Sequence, residues 1–321
     1  MALAANPRLL IVRRDNIGDL VCTTPLIDAL RAAHPRAWIG ALVNTYNAEV
    51  LARNPALDAV HAYEKLKHRR GSLLSNVLSR VRLASRLKGQ QLDAVLVPSA
   101  SAQALRIAGS LRPRRVIAES GSLEGKHEVE RAFALGASLG VSGTPGPLRV
   151  FPDLQKVQQV KRQTGGKPFV AVHISARRPA QHWPLERYRQ LIETLETKDK
   201  VVLLWAPGPA SDPRHPGDDE AAARIPAHAN LVKLPTPDLA TLIAALSLAK
   251  LVVCPDGGAM HLAAALGKPI VALFGDSPVE RWRPWGVPHR VLRPESRNLA
   301  DLPLADVLGA CAALAGVVGE K

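Results

Sequence analysis

Short apolar runs alternate with longer amphipathic segments along the whole chain. In the first half, such runs predict strands at residues 9–12, 38–43, 59–62, 94–97 and 116–118. After a segment rich in glycine and proline at 143–152, further runs predict strands at 169–174, 201–205, 231–234, 251–254 and 270–274. Helical patterns lie between them, for example at 19–33, 72–87 and 128–139. Because strands that are apolar throughout are buried on both faces, the pattern predicts parallel sheets covered by helices.

The two sets of alternating elements predict an α/β protein with two doubly wound domains that face a central cleft. We expect an N-terminal domain at residues 1–150 and a C-terminal domain at residues 151–321. The pattern leaves open which domain the last helix, predicted at 304–318, packs against. The length of 321 residues and the 47% hydrophobic content suffice for two buried cores.

Membrane, export and disulfide signals are not found in the sequence. No apolar run reaches the ~20 residues that span a bilayer, and the first residues lack the charged-then-apolar layout of a signal peptide. The three cysteines, Cys22, Cys254 and Cys311, have neither disulfide nor zinc spacing. We therefore expect a reduced cytoplasmic protein whose contact with a membrane, if any, is peripheral.

Positive charge is concentrated in the first half of the chain. There are 42 Lys and Arg against 28 Asp and Glu, a net charge of +14. Residues 1–150 hold 21 Lys and Arg against 11 Asp and Glu, a net charge of +10. Residues 151–321 hold 21 Lys and Arg against 17 Asp and Glu, a net charge of +4. This excess indicates an anionic partner, and nucleic acid, a membrane surface and a phosphorylated substrate all fit the charge alone.

Three familiar motifs are tested and disfavoured. A dinucleotide fingerprint needs three glycines after the first strand, where only Gly18 is present, so a nicotinamide oxidoreductase is disfavoured. The glycines at 121 and 125 form a phosphate-loop pattern that is one residue short, which predicts an ordinary turn. The spacing Gly136-Ala-Ser138-Leu-Gly140 matches a nucleophile elbow, but it continues a helical pattern instead of following a strand.

The strongest local signal is the strand–turn–helix–strand pattern of residues 251–275. Gly257 and Gly258 form the turn, and glycines there let a ligand approach the free N–H groups at the helix start. His261 follows one helical turn later, on the same side of the helix. The spacing fits two interpretations equally well: a diphosphate site, or an ordinary helix start capped by Asp256.

A second polar segment follows the strand at 169–174 and contains Ser175, Arg177, Arg178 and Gln181. Arginines at a strand end suit phosphate oxygens, although a solvated basic loop explains the same residues. Asp19 directly follows Gly18 at the start of the first helix. A carboxylate there is favoured by the helix dipole, and it is also placed to take a proton from a hydroxyl.

A basic run follows the third strand, and the low aromatic content of 4% argues against base stacking by it. A groove for the phosphates of a sugar or lipid head fits it better, and a solvated loop is the alternative. The run contains Lys65, Lys67, Arg69 and Arg70.

Taken together, these segments resemble glycosyltransferase family 9, the ADP-heptose:lipopolysaccharide heptosyltransferases. The resemblance extends over roughly residues 8–290 and rests on four segments in order: LLIVRRDNIGDLVCTTPLIDALRAAHP, HISARRPAQHWPLERY, PDGGAMHLAAALGKPIVALFG and RWRPWG. It implies a GT-B fold with two Rossmann-like domains, the acceptor bound by the N-terminal one and the nucleotide sugar by the C-terminal one. It also implies inversion at the transferred sugar, no catalytic metal and no cofactor beyond the donor substrate, which would be ADP-heptose.

The resemblance also implies roles for individual residues. Asp19 matches the proposed general base, and Gly18 precedes it at the acceptor side. Asp256, Gly258 and His261 match the donor-binding turn, in which Gly257 also lies, and either Asp219 or Glu220 matches an acidic residue near the ribose. The basic run from Lys65 to Arg70 matches the region that meets the acceptor, a lipid A–Kdo core or inner-core heptose.

Three departures from the family pattern fall on the donor side. Gln181 stands where the family commonly has a phosphate-binding lysine, and either Arg177 or Arg178 can take that role. The turn has Gly257 where a hydroxyl residue is usual, and the loop at 275–278 reads GDSP where many members have GPTDP. Two alternatives stay open: transfer of another sugar to O-antigen or another glycan, and non-enzymatic binding of polyanions. With the motifs in place, nucleic acid is the poorer partner.

Overall fold

The protein is described by a computed structural model over residues 4–63, 82–99, 101–119, 121, 123, 125–212 and 216–318. The chain divides into two compact units, Met1–Phe151 and Pro152–Lys321. Each unit contains one parallel sheet with helices.

The sheet of the first unit has the strand order β3-β2-β1-β4-β5. Its strands are β1 (Arg8–Val12), β2 (Trp38–Asn44), β3 (Ala59–Tyr63), β4 (Ala94–Val97) and β5 (Arg115–Ala118). Its helices are α1 (Ile17–Val21), α2 (Thr24–Ala33), α3 (Ala102–Ser110) and α4 (Glu128–Phe133), and residues 82–88 are also helical. A 3₁₀ helix, Ala134–Leu139, continues α4.

The sheet of the second unit has six strands in the order β11-β10-β9-β6-β7-β8. They are β6 (Phe169–His173), β7 (Lys200–Trp205), β8 (Leu231–Pro235), β9 (Ala249–Pro255), β10 (Ile270–Leu273) and β11 (His289–Leu292). The helices are α5 (Leu154–Gln163), α6 (Leu185–Leu195), α7 (Asp219–Arg224), α8 (Leu239–Leu248), α9 (Gly258–Ala265), α10 (Val279–Trp282) and α11 (Leu304–Val318). This is the doubly wound order in which the chain starts at the centre and builds outward in both directions.

Each unit has its own apolar core between sheet and helices. In the first unit, alternate residues of β1 and β4 pack against α3 and the helical residues 82–88. In the second, β6, β7, β9 and β10 pack against α6 and against α11, whose Val307, Cys311 and Leu314 are buried there. At ~25 cal/mol per Å² of apolar surface, this burial is what holds each sheet to its helices.

The predicted strands are confirmed within two residues at every end, and β11 was not predicted. It is a four-residue edge strand whose sequence, HRVL, is half polar. The single helix predicted at 19–33 is wrong, because α1 ends at Val21 and α2 begins at Thr24. Pro25 has no N–H, and its ring clashes with the carbonyl four residues earlier. The Thr24 hydroxyl instead donates to the carbonyl of Val21 at 2.8 Å.

Candidate active site

In both sheets the strand order reverses between two neighbouring central strands, β1 and β4 in the first unit and β6 and β9 in the second. The connections from such a pair run in opposite directions, which leaves a crevice at the carboxyl ends where α/β sheets bind ligands. Asp19 follows β1, and Asp256 follows β9. These two sequence candidates therefore lie at the reversal points of the sheets.

Asp19 is the third residue of α1. Its Oδ2 accepts hydrogen bonds from the backbone N–H of Asn16 at 3.1 Å and from the Asn16 side-chain amide at 3.2 Å. Asn16 caps the helix, and this reciprocal capping box fixes the Asp19 carboxylate beside the turn. Gly18 is buried next to it. The Asp19 side chain keeps 15% of its surface exposed, so a substrate hydroxyl can reach the carboxylate.

The other oxygen of Asp19 contacts Arg13, the residue after β1. Arg13 Nη2 donates to Asp19 Oδ1 at 3.0 Å and also to Glu128 Oε1, and Arg13 Nε lies 3.2 Å from Asp15 Oδ2. Only 1% of the Arg13 side chain is exposed. Burial acts to lower the pKa of Arg13, but the charges of Asp19, Glu128 and Asp15 outweigh burial and raise that pKa. Arg13 therefore stays charged and ties the β1–α1 turn to α4.

Side chains from both neighbours of β1 hold this turn. Asn44 donates to the carbonyl of Arg14 at 2.6 Å, and Tyr46 donates to the carbonyl of Asp15 at 2.6 Å. Ser99, which follows β4, donates to the Asp15 carboxylate at 3.3 Å. These hydrogen bonds hold the turn from which Asp19 projects, and a turn held in this way keeps the carboxylate oriented for reaction.

Sequence reasoning missed Arg13 and Glu128. Glu128 is the first residue of α4 and lies 115 positions from Arg13 in the chain. A charged residue directly after an apolar strand was the available signal for Arg13. The alternating charges at the start of α4 are equally typical of a surface helix, so Glu128 carried no signal of its own. The acceptor candidates Lys65, Lys67, Arg69 and Arg70 lie outside the described residues.

In the second unit, Asp256 and Gly257 connect β9 to α9, which begins at Gly258. The Gly257 backbone is extended, with φ 162°, and a Cβ there would meet no atom within 4 Å. The space is open beside the first N–H groups of α9, which have no partner within the helix. His261 is 2% exposed, and its ring meets the Trp282 ring edge-on at a centroid distance of 5.9 Å. This geometry suits an anionic oxygen at the helix start.

A polar cluster joins the segment after β6 to this turn. Gln181 is buried, and its Nε2 donates to Asp256 Oδ2 at 3.0 Å. Arg178 donates to the hydroxyl of Ser277, which follows β10, at 2.6 Å, and its Nη1 lies 3.6 Å from Asp276 Oδ2. The structure thus brings Gln181, Arg178 and Asp256 together. Ser277 was missed, and a buried serine in a polar loop gives no distinctive sequence signal. Arg177 is exposed.

The remaining donor candidates lie on the other side of β6, at the end of β7. Ser175 Oγ accepts from the backbone N–H that follows β7, at 2.8 Å. Asp219 accepts from Trp205 Nε1 at 2.7 Å and from the Gly208 N–H at 2.9 Å, and these bonds lower the pKa of its carboxyl group. Glu220 is exposed. Asp219 is exposed as well, but its hydrogen bonds anchor it and favour its ionised form.

The described residues show no metal or thiol site. Among them, no group of three or more His, Cys, Asp or Glu could hold a metal ion. Within the same ranges, no helix has the length and apolar character needed to cross a membrane. Cys22, Cys254 and Cys311 are buried and form no disulfide, and burial raises the pKa of the Cys311 thiol to about 12.

The glycosyltransferase family 9 (heptosyltransferase) domain matches residues 80–309, more than two thirds of the chain. The chain belongs to glycosyltransferase family 9. The family expectation from the sequence is therefore confirmed, and this family 9 protein is an enzyme of the heptosyltransferase family.

Relatives of this family 9 glycosyltransferase match over almost their whole length. Lipopolysaccharide heptosyltransferase 3 of Escherichia coli is 24% identical over 91% of this chain and 95% of the relative. Lipopolysaccharide heptosyltransferase 2 of E. coli K12 is 27% identical over 89% of this chain and 88% of the relative. The E. coli ADP-heptose heptosyltransferase II structure has a TM-score of 0.78 at 20% identity, covering 96% of this chain and 98% of its own. The structure of E. coli heptosyltransferase WaaC with ADP has a TM-score of 0.77 at 22% identity, covering 96% of this chain and 99% of its own. The two-sheet α/β fold is that of the GT-B heptosyltransferases, as predicted.

Proposed function

We propose that this glycosyltransferase moves a heptose from ADP-heptose to an anionic lipopolysaccharide core acceptor, with inversion at the anomeric carbon. The observation that carries the proposal is the partly exposed Asp19 carboxylate at the reversal point of one sheet, complemented by the open helix start behind Gly257 in the other. Family relatives are lipopolysaccharide heptosyltransferases, and one structural neighbour holds ADP. The net charge of +10 on residues 1–150 suits an acceptor with phosphates and carboxylates.

In this reaction Asp19 acts as the general base. It takes the proton from an acceptor hydroxyl while that oxygen bonds to the anomeric carbon of the heptose. The bond from that carbon to the diphosphate oxygen breaks, and the electron pair leaves on ADP. Asn16 and Arg13 orient the carboxylate through hydrogen bonds to its two oxygens.

Negative charge grows on the leaving diphosphate in the transition state. In the proposal, three kinds of group stabilise this charge: the backbone N–H groups at the start of α9, His261, and either Arg177 or Arg178. Arg178 contacts Ser277 and Asp276. The Ser277 hydroxyl also lies 3.5 Å from the Gln181 amide that donates to Asp256. This link to the turn supports the role of Arg178 over that of Arg177. Asp219 accepts from a ribose hydroxyl through its free lone pairs, with Glu220 as the alternative. Because protein groups carry the charge, turnover is expected to be unchanged by EDTA.

Replacing Asp19 by Asn tests the assignment. General base assistance contributes about 10²–10⁴-fold, so we expect D19N to lower kcat by that factor and to leave the Kd for ADP unchanged. The matched control is Asp15→Asn, which removes the other aspartate from Arg13. We expect it to lower kcat far less. A D19N enzyme with full turnover removes Asp19 from the mechanism.

Donor, acceptor and stereochemistry are read from the product. ADP-heptose is compared with other nucleotide sugars, each offered with a lipid A–Kdo acceptor and with a heptose-bearing core, and the product is analysed by mass spectrometry. The anomeric configuration of the new bond is assigned by NMR coupling constants and is expected to be opposite to that of the donor. Transfer of a different sugar, or retention of configuration, contradicts the proposal.

A further inference from the structure

One nitrogen of Arg13 donates hydrogen bonds to two carboxylates. Arg13 Nη2 donates both to Asp19 Oδ1 and to Glu128 Oε1. Because Nη2 carries two N–H groups, Glu128 occupies the one that Asp19 leaves. We propose that Glu128 is a positioning residue for sugar transfer, which sets the base strength of Asp19 by sharing the charge of Arg13. The inference rests on the proposed role of Asp19 as general base.

The contact is built into the interior of the first unit. The side chains of Arg13 and Glu128 are 1% and 3% exposed, whereas Asp19 is 15% exposed. Water screens the contact between Arg13 and Glu128 little, because both side chains are buried. Glu128 is the first residue of α4 and is therefore held on a helix instead of a loop.

Among the described contacts, the ion pairs of Arg13 bring together more negative than positive charge. Arg131 lies beside Glu128, with Nε 3.7 Å from Glu128 Oε2, and its Nη2 contacts Glu119 at 2.8 Å. Glu130 is engaged elsewhere, since its carboxylate accepts from the backbone N–H of His127. Among the described contacts, three carboxylates meet the single cation Arg13: Asp15, Asp19 and Glu128. Within the same contacts, Glu119 meets Arg131 and not Arg13, so it lies outside this group.

This charge distribution bears on the proton-transfer step. When Asp19 takes the acceptor proton it becomes neutral, and Arg13 keeps Glu128 and Asp15 as counter-charges. Without the charge of Glu128, Arg13 would pair more fully with Asp19 and favour its ionised form. Asp19 would then be a weaker base. Neutralising Glu128 therefore moves the acid limb of the kcat–pH profile to lower pH and lowers the plateau value of kcat.

The test compares Glu128→Gln with Glu119→Gln in the full-length enzyme. E128Q keeps the shape of the side chain and removes its charge, whereas E119Q removes a carboxylate that contacts Arg131 but not Arg13 among the described contacts. For E128Q we expect an acid limb about one pH unit lower and a plateau kcat about tenfold lower. The KM for the donor should not change. E119Q should resemble the parent enzyme.

A second variant keeps the inference testable if E128Q does not fold. Arg131→Gln removes the other cation beside Glu128, so the acid limb should move to higher pH. The inference is wrong if E128Q folds with an unchanged limb and plateau, or if E119Q shifts the limb equally. It is also wrong if the limb of R131Q does not move upward.

The double variant D19N/E128Q separates this inference from the function it rests on. If Glu128 acts through Asp19, the double variant turns over at the rate of D19N. A large loss in D19N with no effect of E128Q overturns the role of Glu128 alone. Full activity of D19N overturns the base assignment, whatever E128Q does.

Discussion

His173 is the last residue of β6 and lies where the second sheet reverses its strand order. It is 7% exposed, and burial lowers its pKa to about 4. Its Nδ1 has no hydrogen-bond partner among the described residues. The imidazole is therefore neutral at pH 7. Positive charge for an anionic ligand at this sheet end must come from other groups, such as Arg178.

This burial predicts a pH dependence of stability. The pKa of His173 is below its ordinary value of 6.5 in the folded state, so the unfolded state binds the extra proton first. Stability is complete above about pH 6.5 and is lost as the pH falls toward 4. Between pH 7 and pH 5 we expect the parent to lose about 2 kcal/mol more unfolding free energy than His173→Gln.

The measurement uses tryptophan fluorescence in urea. In a Trp38→Phe background the remaining tryptophans all lie in the second unit, so their signal reports its unfolding. The control is His289→Gln, which changes a histidine that is less buried. Equal losses of stability in the parent and in H173Q would assign the acid sensitivity to other groups.

At the scale of elements, the segment between β6 and α6 packs against the segment after β10. A Cβ on Gly275 would lie 2.3 Å from the carbonyl oxygen of Ala180 and 3.2 Å from that of Arg297. Ala180 precedes Gln181, whose amide donates to Asp256. The missing side chain at 275 therefore lets two loops approach closely enough to complete the cluster beside α9.

Gly275→Ala should disturb this contact. The added methyl must push the Ala180 backbone, so we expect a loss of about 1–3 kcal/mol in the stability of the second unit and weaker ADP binding. Gly309→Ala is the matched control, because a Cβ there meets nothing within 4 Å and the residue lies exposed in α11. It should be neutral or stabilising by about 0.5–1 kcal/mol. Urea unfolding and calorimetric titration with ADP give both quantities. Unchanged ADP affinity in G275A would show that the loop contact does not support the site.

At the scale of the whole molecule, two sheets of the same winding carry different chemistry at their reversal points. The first has carboxylates around a buried arginine, and the second has a glycine turn and a helix start. The first half also carries most of the net positive charge. A division between an acceptor half and a donor half agrees with both features.

This division predicts where ADP acts. A ligand at 100 times its Kd stabilises the folded state by about 2.7 kcal/mol, so ADP should raise the melting temperature of the second unit, and GDP and UDP should do so less. Gly257→Val offers a sharp control. Its extended backbone accepts a side chain, and the side chain would fill the open space before α9. G257V should fold as the parent does and show no ADP shift. A normal shift in G257V places the nucleotide elsewhere.

The sequence predicted most of the fold because its signals are local. Continuous apolar runs such as those of β6 and β9 are long enough to mark buried strands, and the glycine turn at Gly257 marks the start of α9. It failed where a local pattern has two solutions. The short edge strand β11 is too polar to stand out, and the helical periodicity of residues 19–33 conceals the break that Pro25 imposes.

By itself, the sequence determined the two doubly wound halves, the family and the strand ends at which Asp19 and Asp256 lie. Tertiary structure alone decided which side chains meet there. Arg13 pairs with Glu128 across 115 positions, and Gln181 pairs with Asp256 across 75. The reason is physical: periodicity reports which face of an element is buried, whereas a buried polar group must find its partner wherever the fold brings one.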